Sequence, residues 1–525
     1  MRLKMAARHL AAVGVALGLG SGLLTAAGAG RSVAAPQTGG TLTVLEGAGF
    51  AGNWPEGFAP STNINALANQ TMMNAIYGML FELQSNGKTI GDLASGYKLS
   101  SDAKTLSVDI RKGVTFSDGT PFNAAAVKSN FMADLASTSP ARPTFPIASI
   151  TTPNDHTVVL KLKSPDGAIV NQFQDSLFNW IASPSAEAKM GLKQFALKPV
   201  GAGPFEVASD TIGTKLVLTR NPSYWEKGKP HLSSLVFQTT SSDNTALEAM
   251  QAGSAQAYEY MTTPRLVGSF KNAGFVVTAD KGNAALDVEV NAQAPPFNNI
   301  KARQAIYYAT DPQTINTQVY QGTCPVTESF TGPGGMFFEP KAPGYPTYNP
   351  AKAKALVQQL GGLSFTMLVP TQGVRLIEAE VLQTMYKAAG MNVKIGTYAD
   401  LASLIQDYEG HQWQLVPLSV GAWDPADAIG VAFFMHSGAT YTGIDDARVD
   451  SLIAQGLGSS DLGTRSATYS QLAKYLVQKA YLPFICSATT WDIAAKGVQG
   501  PGLTTQAPGG DVGPEVFWQD VSMAK

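Results

Sequence analysis

The sequence predicts an α/β protein of several domains, and three observations carry that expectation. The segments "FTMLVP", "MNVKIGTY" and "WQLVPLSV" read as strands separated by helical stretches at 374–389 and 401–408, the alternation of an α/β lobe. The 525 residues correspond to two to four domains at roughly 150 residues each. With 44% hydrophobic and 14% charged residues, 52 Gly and 31 Pro, the composition is that of a loop-rich globular chain. A formal net charge of -2 and the lack of any Lys/Arg run leave no electrostatic footprint for nucleic acid or an anionic membrane.

The N-terminus comes first. Arg2, Lys4 and Arg8 precede the uncharged stretch "AAVGVALGLGSGLLTAAGAG". A basic start, an apolar middle and a small-residue end describe a secretory signal over residues 1–34, cleaved after Ala29 or Ala34. Its Gly and Ala content and the polar "PQTGG" that follows speak against a retained anchor. No later segment has 18 apolar residues in a row, so the exported chain is expected to be soluble, in the periplasm or cell envelope. Export permits a disulfide between Cys324 and Cys486, but sequence leaves their pairing open. Neither lies just after the leader, so a lipoprotein anchor has no acceptor.

Along the mature chain, "GGTLTVLEG" reads as a first strand. Met72, Ile76, Met79, Leu80 and Leu83 then recur at helical spacing within Asn69 to Leu83. "TLSVDIR" alternates as a half-buried strand, and Lys112-Gly113 and Asp118-Gly119 mark turns. Asn123 is placed to cap a helix bearing Val127, Phe131 and Leu135. "DHTVVLKLKS" is a further strand, and "GAGPFEVASDTIGTKLVLTRNPSYW" gives two more before an Asn-Pro turn. "TALEAMQAGSAQAYEY" reads as helix, glycine turn and strand. Residues from Ile300 are helical, with Ala302, Ile306 and Ala309 on one stripe. "RSATYSQLAKYLVQKAYLPFICSATTWDI" closes with a helix and a buried strand.

Motifs for catalysis fail on context. "GAGFAG" (Gly47 to Gly52) matches a dinucleotide fingerprint, but Pro55 and Pro60 stand where its helix should run. "SDAK" (Ser101 to Lys104) precedes a strand instead of opening a helix, so it reads as a turn. His156, His231, His411 and His436 are scattered without metal-ligand spacing, and Asp445-Asp446 reads as a solvated loop. No activated nucleophile with a positioned base is visible. The expectation is therefore no enzyme, no cofactor and no metal held by the protein alone.

The segment "LASGYKLSSDAKTLSVDIRKGVTFSDGTPFNAAAVKSNF" resembles the signature of the extracellular solute-binding proteins of peptide/nickel ABC importers, family 5. The matching positions are Leu93, Ala94, Ser100, Asp102, Thr105, Arg111, Gly113, Val114, Phe116, Asp118, Gly119, Pro121, Phe122, Ala124 and Val127. "LTRNPSYWEKGKPHLSSLVF", "PPFNNIKARQAIYYATDPQTI" and "YNPAKAKALVQQLG" resemble later family segments in the family's order.

The resemblance implies a two-lobed periplasmic-binding-protein-like fold (type II, cluster C) with an extra small domain. Lobe I would combine 35–82, 201–298 and 490–525, the small domain 83–200, and lobe II 299–489. It implies a monomer that captures a peptide or other small polar solute between its lobes and delivers it to membrane permease subunits of an ABC transporter. A ligand sensor, or a binder of a metal chelate, sugar or opine, fits the same family. The ligand contacts it implies are Arg375, whose guanidinium suits a carboxylate, Trp423 for stacking, Asp424 of an Asp-Pro pair, and Trp54 in the loop after the first strand. The Asp that receives a peptide ammonium in the family has no clear counterpart; Gly421 and Ala422 stand near its place. So few cleft charges point to a moderately polar ligand.

Overall fold

The structure is a computed structural model. It describes residues 38–524 except 48–53, 55, 56, 64–68, 85, 138–141, 144, 175, 284, 372, 400, 411, 420–422, 427–442, 506–508, 511, 512 and 515. The leader and the glycine motif after Gly47 thus lie outside the described residues. None of the described helices is long and apolar enough to cross a membrane.

The first strand, β1 (Thr41–Gly47), is apolar on both faces: Leu42 and Val44 enter one core and Leu45 another. Such a strand belongs in the middle of a covered sheet. The helix Gln70–Tyr77 covers the first of these faces. It is shorter than its periodicity suggests, because Gly78 at φ 66 ends it and donates its N–H back to Asn74. Phe81–Leu83, read above as helix, pairs instead with Thr89–Gly91 in a hairpin.

A smaller domain follows. Strands β2 (Ala94–Leu99), β3 (Thr105–Ile110), β4 (Ile147–Asn154) and β5 (Thr157–Leu162) form an antiparallel sheet in the order β2-β3-β5-β4. Ser101 to Lys104 is the turn between β2 and β3. The helix Ala124–Leu135 starts where Asn123 accepts from the Ala126 N–H at 3.0 Å. Val127 and Phe131 on that helix are buried, and the Phe131 ring stacks on Phe178 at 3.9 Å. The Asp118 turn is held by Thr120 and by the Ser183 hydroxyl, which donates at 2.9 Å. Arg111 lies over the Trp225 ring at 3.9 Å and fastens this domain to the next stretch of chain.

The chain then adds β6 (Phe205–Thr211), β7 (Lys215–Arg220), β8 (Ser234–Thr240), β9 (Ala257–Met261) and β10 (Val276–Asp280) to β1. It crosses over and builds a second sheet from β11 (Leu286–Val290), β12 (Ser364–Pro370), β13 (Asn392–Tyr398), β14 (Leu415–Ser419) and β15 (Phe484–Cys486), in the order β13-β12-β14-β11-β15. Finally it returns with β16 (Thr490–Ala494), which completes the first sheet in the order β10-β16-β9-β1-β8-β7-β6. The first crossing therefore falls at 281–285 and not at 298: β11 pairs with β14 and β15, so residues 286–298 belong to lobe II. Likewise "FICSATTWDI" is two strands in two sheets, parted at 487–489.

The two crossings lie side by side. Ser487 donates its hydroxyl to the Gly282 carbonyl at 3.1 Å, and a Cβ on Gly282 would meet Ser487 Oγ at 2.5 Å and the Ala488 carbonyl at 2.6 Å. The loop 332–334 closes over them, with Gly332 donating to Asn283 and Gly334 to Gly282. Cys324 and Cys486 form a disulfide across a separation of 162 residues, so their pairing, left open above, is resolved. The bond roots this loop at the last residue before the second crossing. On chain-entropy grounds a closed loop of that order is worth about 4–5 kcal/mol. Reduction, or the paired change Cys324→Ala and Cys486→Ala, should lower the urea midpoint sharply. Equal midpoints with and without reductant would contradict this.

Candidate functional site

Both crossings leave the lobe I sheet at one end, where the carboxyl ends of β1, β9 and β10 meet the amino end of β16. The crevice outside the carboxyl ends of such strands is the ordinary ligand position in open α/β sheets. Here that end carries a row of acids, Glu46 on β1, Glu259 on β9, Asp492 on β16 and Asp280 on β10. The register aligns them: Leu45 pairs with Tyr258, Tyr258 with Ile493, and Thr278 with Asp492. All four are buried.

Burial is the first cause that raises each of these carboxyls above its ordinary range. For Glu46, Glu259 and Asp280 the charge of a neighbouring carboxylate adds to it. Asp492 is held lower, at about 6, by Asp280 and by the Tyr260 N–H, which donates to its Oδ1 at 3.0 Å. Glu259 stands at about 8, with the Thr71 hydroxyl donating at 3.3 Å, and Asp280 at about 10. The sequence reading missed this row. Each acid is solitary in an apolar strand, and the only local signal is one acid near the same end of each.

Across the cleft, Arg375 opens the lobe II helix Val374–Ala388. A cation is disfavoured at that end of a helix. Glu378, fully buried, offsets this by accepting from Arg375 Nη1 at 3.0 Å and from the Tyr320 hydroxyl at 2.9 Å. Burial works against the guanidinium charge, but Tyr320, Glu378 and Tyr260 together hold its proton above the usual range. Tyr260, one residue beyond Glu259, is among the groups that hold the Arg375 proton, so the end of β9 comes near the start of this helix.

The other three residues singled out in the sequence are placed elsewhere. Trp54 is fully buried in the lobe I core, packed on Phe58, with Nε1 donating to Asp210 at 2.9 Å. Trp423 is buried against the small domain, where a Cβ on Gly87 would meet its Cζ2 at 2.8 Å. Asp424 accepts from Arg465 through both oxygens, at 2.9 and 2.5 Å, from Asn171 Nδ2 of the small domain at 2.8 Å, and from the Ala426 N–H. Gly167 donates to the Leu457 carbonyl at 2.6 Å beside it. Together these contacts clasp the small domain to lobe II.

Two outcomes follow from these buried charges. Arg465→Met strands the Asp424 carboxylate and should cost about 3–5 kcal/mol, partly recovered by adding Asp424→Leu, since losing both charges is milder than losing one. Equal losses in single and double variants would count against the pairing. Native carboxyls with raised values hold protons that the unfolded chain releases, so stability falls as pH climbs from the unfolded value near ~4 toward the folded one. Asp280→Asn should therefore raise the melting temperature by a few degrees at about pH 8 and leave it unchanged at about pH 4. A gain that is the same at both would refute it.

The comparisons with known proteins agree with this architecture. The profile of the bacterial extracellular solute-binding proteins, family 5 Middle, matches residues 88–442, more than half of the chain. The glutathione-binding protein GsiB of Pectobacterium atrosepticum is 28% identical over 435 residues, covering 77% of this chain and 81% of that one. The GsiB of Escherichia coli K12 is 26% identical over 459 residues, covering 80% and 85%. AgaA of A. tumefaciens R10, solved with agropinic acid, superposes with a TM-score of 0.79 at 22% identity, over 93% of this chain and 99% of that one. DppA of Helicobacter pylori, solved with the peptide STSA, gives 0.79 at 20% identity, over 93% and 99%. These structures share the periplasmic-binding-protein fold with this chain. The chain belongs to the family 5 bacterial extracellular solute-binding proteins, the substrate-binding components of ABC importers.

Proposed function

We propose that the chain is exported by its leader, captures a peptide or other small polar solute between lobes I and II, and hands it to permease subunits in the membrane. The observation that carries this reading is the pairing of two adjacent crossings with a charged cleft at the same end of the lobe I sheet. Two short connections let the lobes move as bodies. A solute that touches both then favours the closed arrangement by its differential affinity. Arg375 is the residue of lobe II we assign to a ligand carboxylate. Trp423 and Asp424 serve closure, through the clasp to the small domain, and Trp54 supports the lobe I core. The reading requires no chemistry on the solute, and the matched relatives are binding proteins by name.

The test is native mass spectrometry of the mature chain purified from an exporting host, followed by denaturation and identification of what is released. A stoichiometric small molecule is the expected outcome, with a contraction in small-angle scattering when it is added back. Arg375→Ala should weaken a carboxylate-bearing ligand by about ten-fold or more and spare its amide. If no solute of any class contracts or stabilises the protein, the capture reading falls.

A further inference from the structure

Five residues other than glycine have a left-handed backbone among those described, and four of them, Ala103, Gln321, Phe337 and Ala480, stand in turns between elements. The fifth, Tyr260 at φ 59, lies inside β9. A bulky side chain in that conformation within a strand is a true outlier. The register gives its geometry. Tyr258 pairs with Ile493 and Met261 with Trp491, so three steps along β9 oppose two along β16, and one residue of β9 is extra. Where a bulge turns through a left-handed residue, that residue is ordinarily glycine. Here it is a tyrosine.

The surroundings hold the strained turn in place. Tyr258 and Met261 enter the same apolar core, so the bulge turns residues 259 and 260 away from it. The Tyr260 N–H donates to Asp492 Oδ1 at 3.0 Å, which ties the turn to the strand that follows the second crossing. Tyr260 is half-buried in a strand whose other four residues are buried. Its phenol lies close enough to Arg375 and Tyr320 to act on their charges, and those two share Glu378 at the start of the lobe II helix. Strain of this kind persists at binding sites, where a bulge re-aims a side chain that a regular strand would point elsewhere.

We propose that Tyr260 is a solute-binding residue of lobe I, aimed by the left-handed bulge at the part of the cleft that faces Arg375. Its hydroxyl offers a donor and two acceptor lone pairs, and its ring an apolar face. The solute is then held by a phenol from lobe I and a guanidinium from lobe II, and contact with both lobes is what favours closure. Glycine, the residue that fits this backbone best, is therefore the one that costs the site most. It relieves the left-handed φ and removes the side chain, so stability and binding part company.

The inference rests on the capture reading, and the test separates the two. Wild type, Tyr260→Gly and Tyr260→Phe are purified as mature chains from one exporting host and emptied of solute. Each is melted, then titrated with the small-molecule fraction that denatured wild type releases. For a wild-type chain isolated empty, the probe is the member of a panel of peptides, sugars and metal chelates that contracts it in small-angle scattering. The empty Tyr260→Gly chain should melt no lower than wild type and bind the probe about ten-fold or more weakly. Tyr260→Phe, which keeps the ring, should melt like wild type and bind about five-fold more weakly. Affinity unchanged in Tyr260→Gly overturns the inference and leaves capture standing. A Tyr260→Gly chain that fails to fold, or melts several degrees lower when empty, assigns the tyrosine to the scaffold and also overturns it. If wild type releases nothing and no member of the panel contracts or stabilises it, both readings end.

Discussion

The joining of the two lobes depends on one contact between two short pieces of backbone. Residues 281–285 and 487–489 cross from one sheet to the other so close together that Gly282 has no room for a β-carbon, and the Ser487 hydroxyl bridges them. This makes lobe II an insertion with a single narrow root. It also fixes where β10 and β16 end, because these two strands feed the crossings, and β1 and β9 reach the same end of the sheet beside them. The disulfide and the glycine loop 332–334 hold that root from the lobe II side.

Two ways of burying charge stand in contrast on either side of the root. Asp424 is saturated: a guanidinium takes both oxygens, an amide from another domain takes a third bond, and the backbone a fourth. Such a pair contributes geometry more than stability, and what it specifies is where the small domain sits against lobe II. The acid row is the opposite case: apart from the Thr71 hydroxyl on Glu259 and the Tyr260 N–H on Asp492, its carboxyl groups bond one another. A fully satisfied charge network rigidifies the fold, and one that is not is costly.

How much of this was legible in the sequence follows the range of each interaction. Asn123 as a cap, the turns at Gly113 and Gly119, and the alternating strands of the small domain are local, and they stand where the pattern placed them. The helix expected to run to Leu83 stops at Tyr77 because one left-handed glycine outweighs a continuing apolar stripe. The closing segment looked like one strand because apolar content does not reveal that its halves join different sheets. Arg375 is legible only through the resemblance of its segment to the family's, and its partners are the nearby Glu378 and, through it, the distant Tyr320. Trp54 and Asp424 looked equally promising, but their partners Asp210, Asn171 and Arg465 are distant in sequence. The acid row was invisible for the same reason, since Glu46 and Asp492 become neighbours only through the order of strands.

That order has a consequence for how the chain is made. β16, residues 490–494, lies between β10 and β9, inside the first sheet and not at its edge. The sheet that β1 begins is therefore left with a gap until residues 490–494 are synthesised and delivered. Lobe II, whose strands run from 286 to 486, has all its parts before then. Contacts of such long sequence separation form late and slowly. The lobe begun first is thus finished after the other, and the carboxyl row that spans the gap comes into being only when β16 arrives.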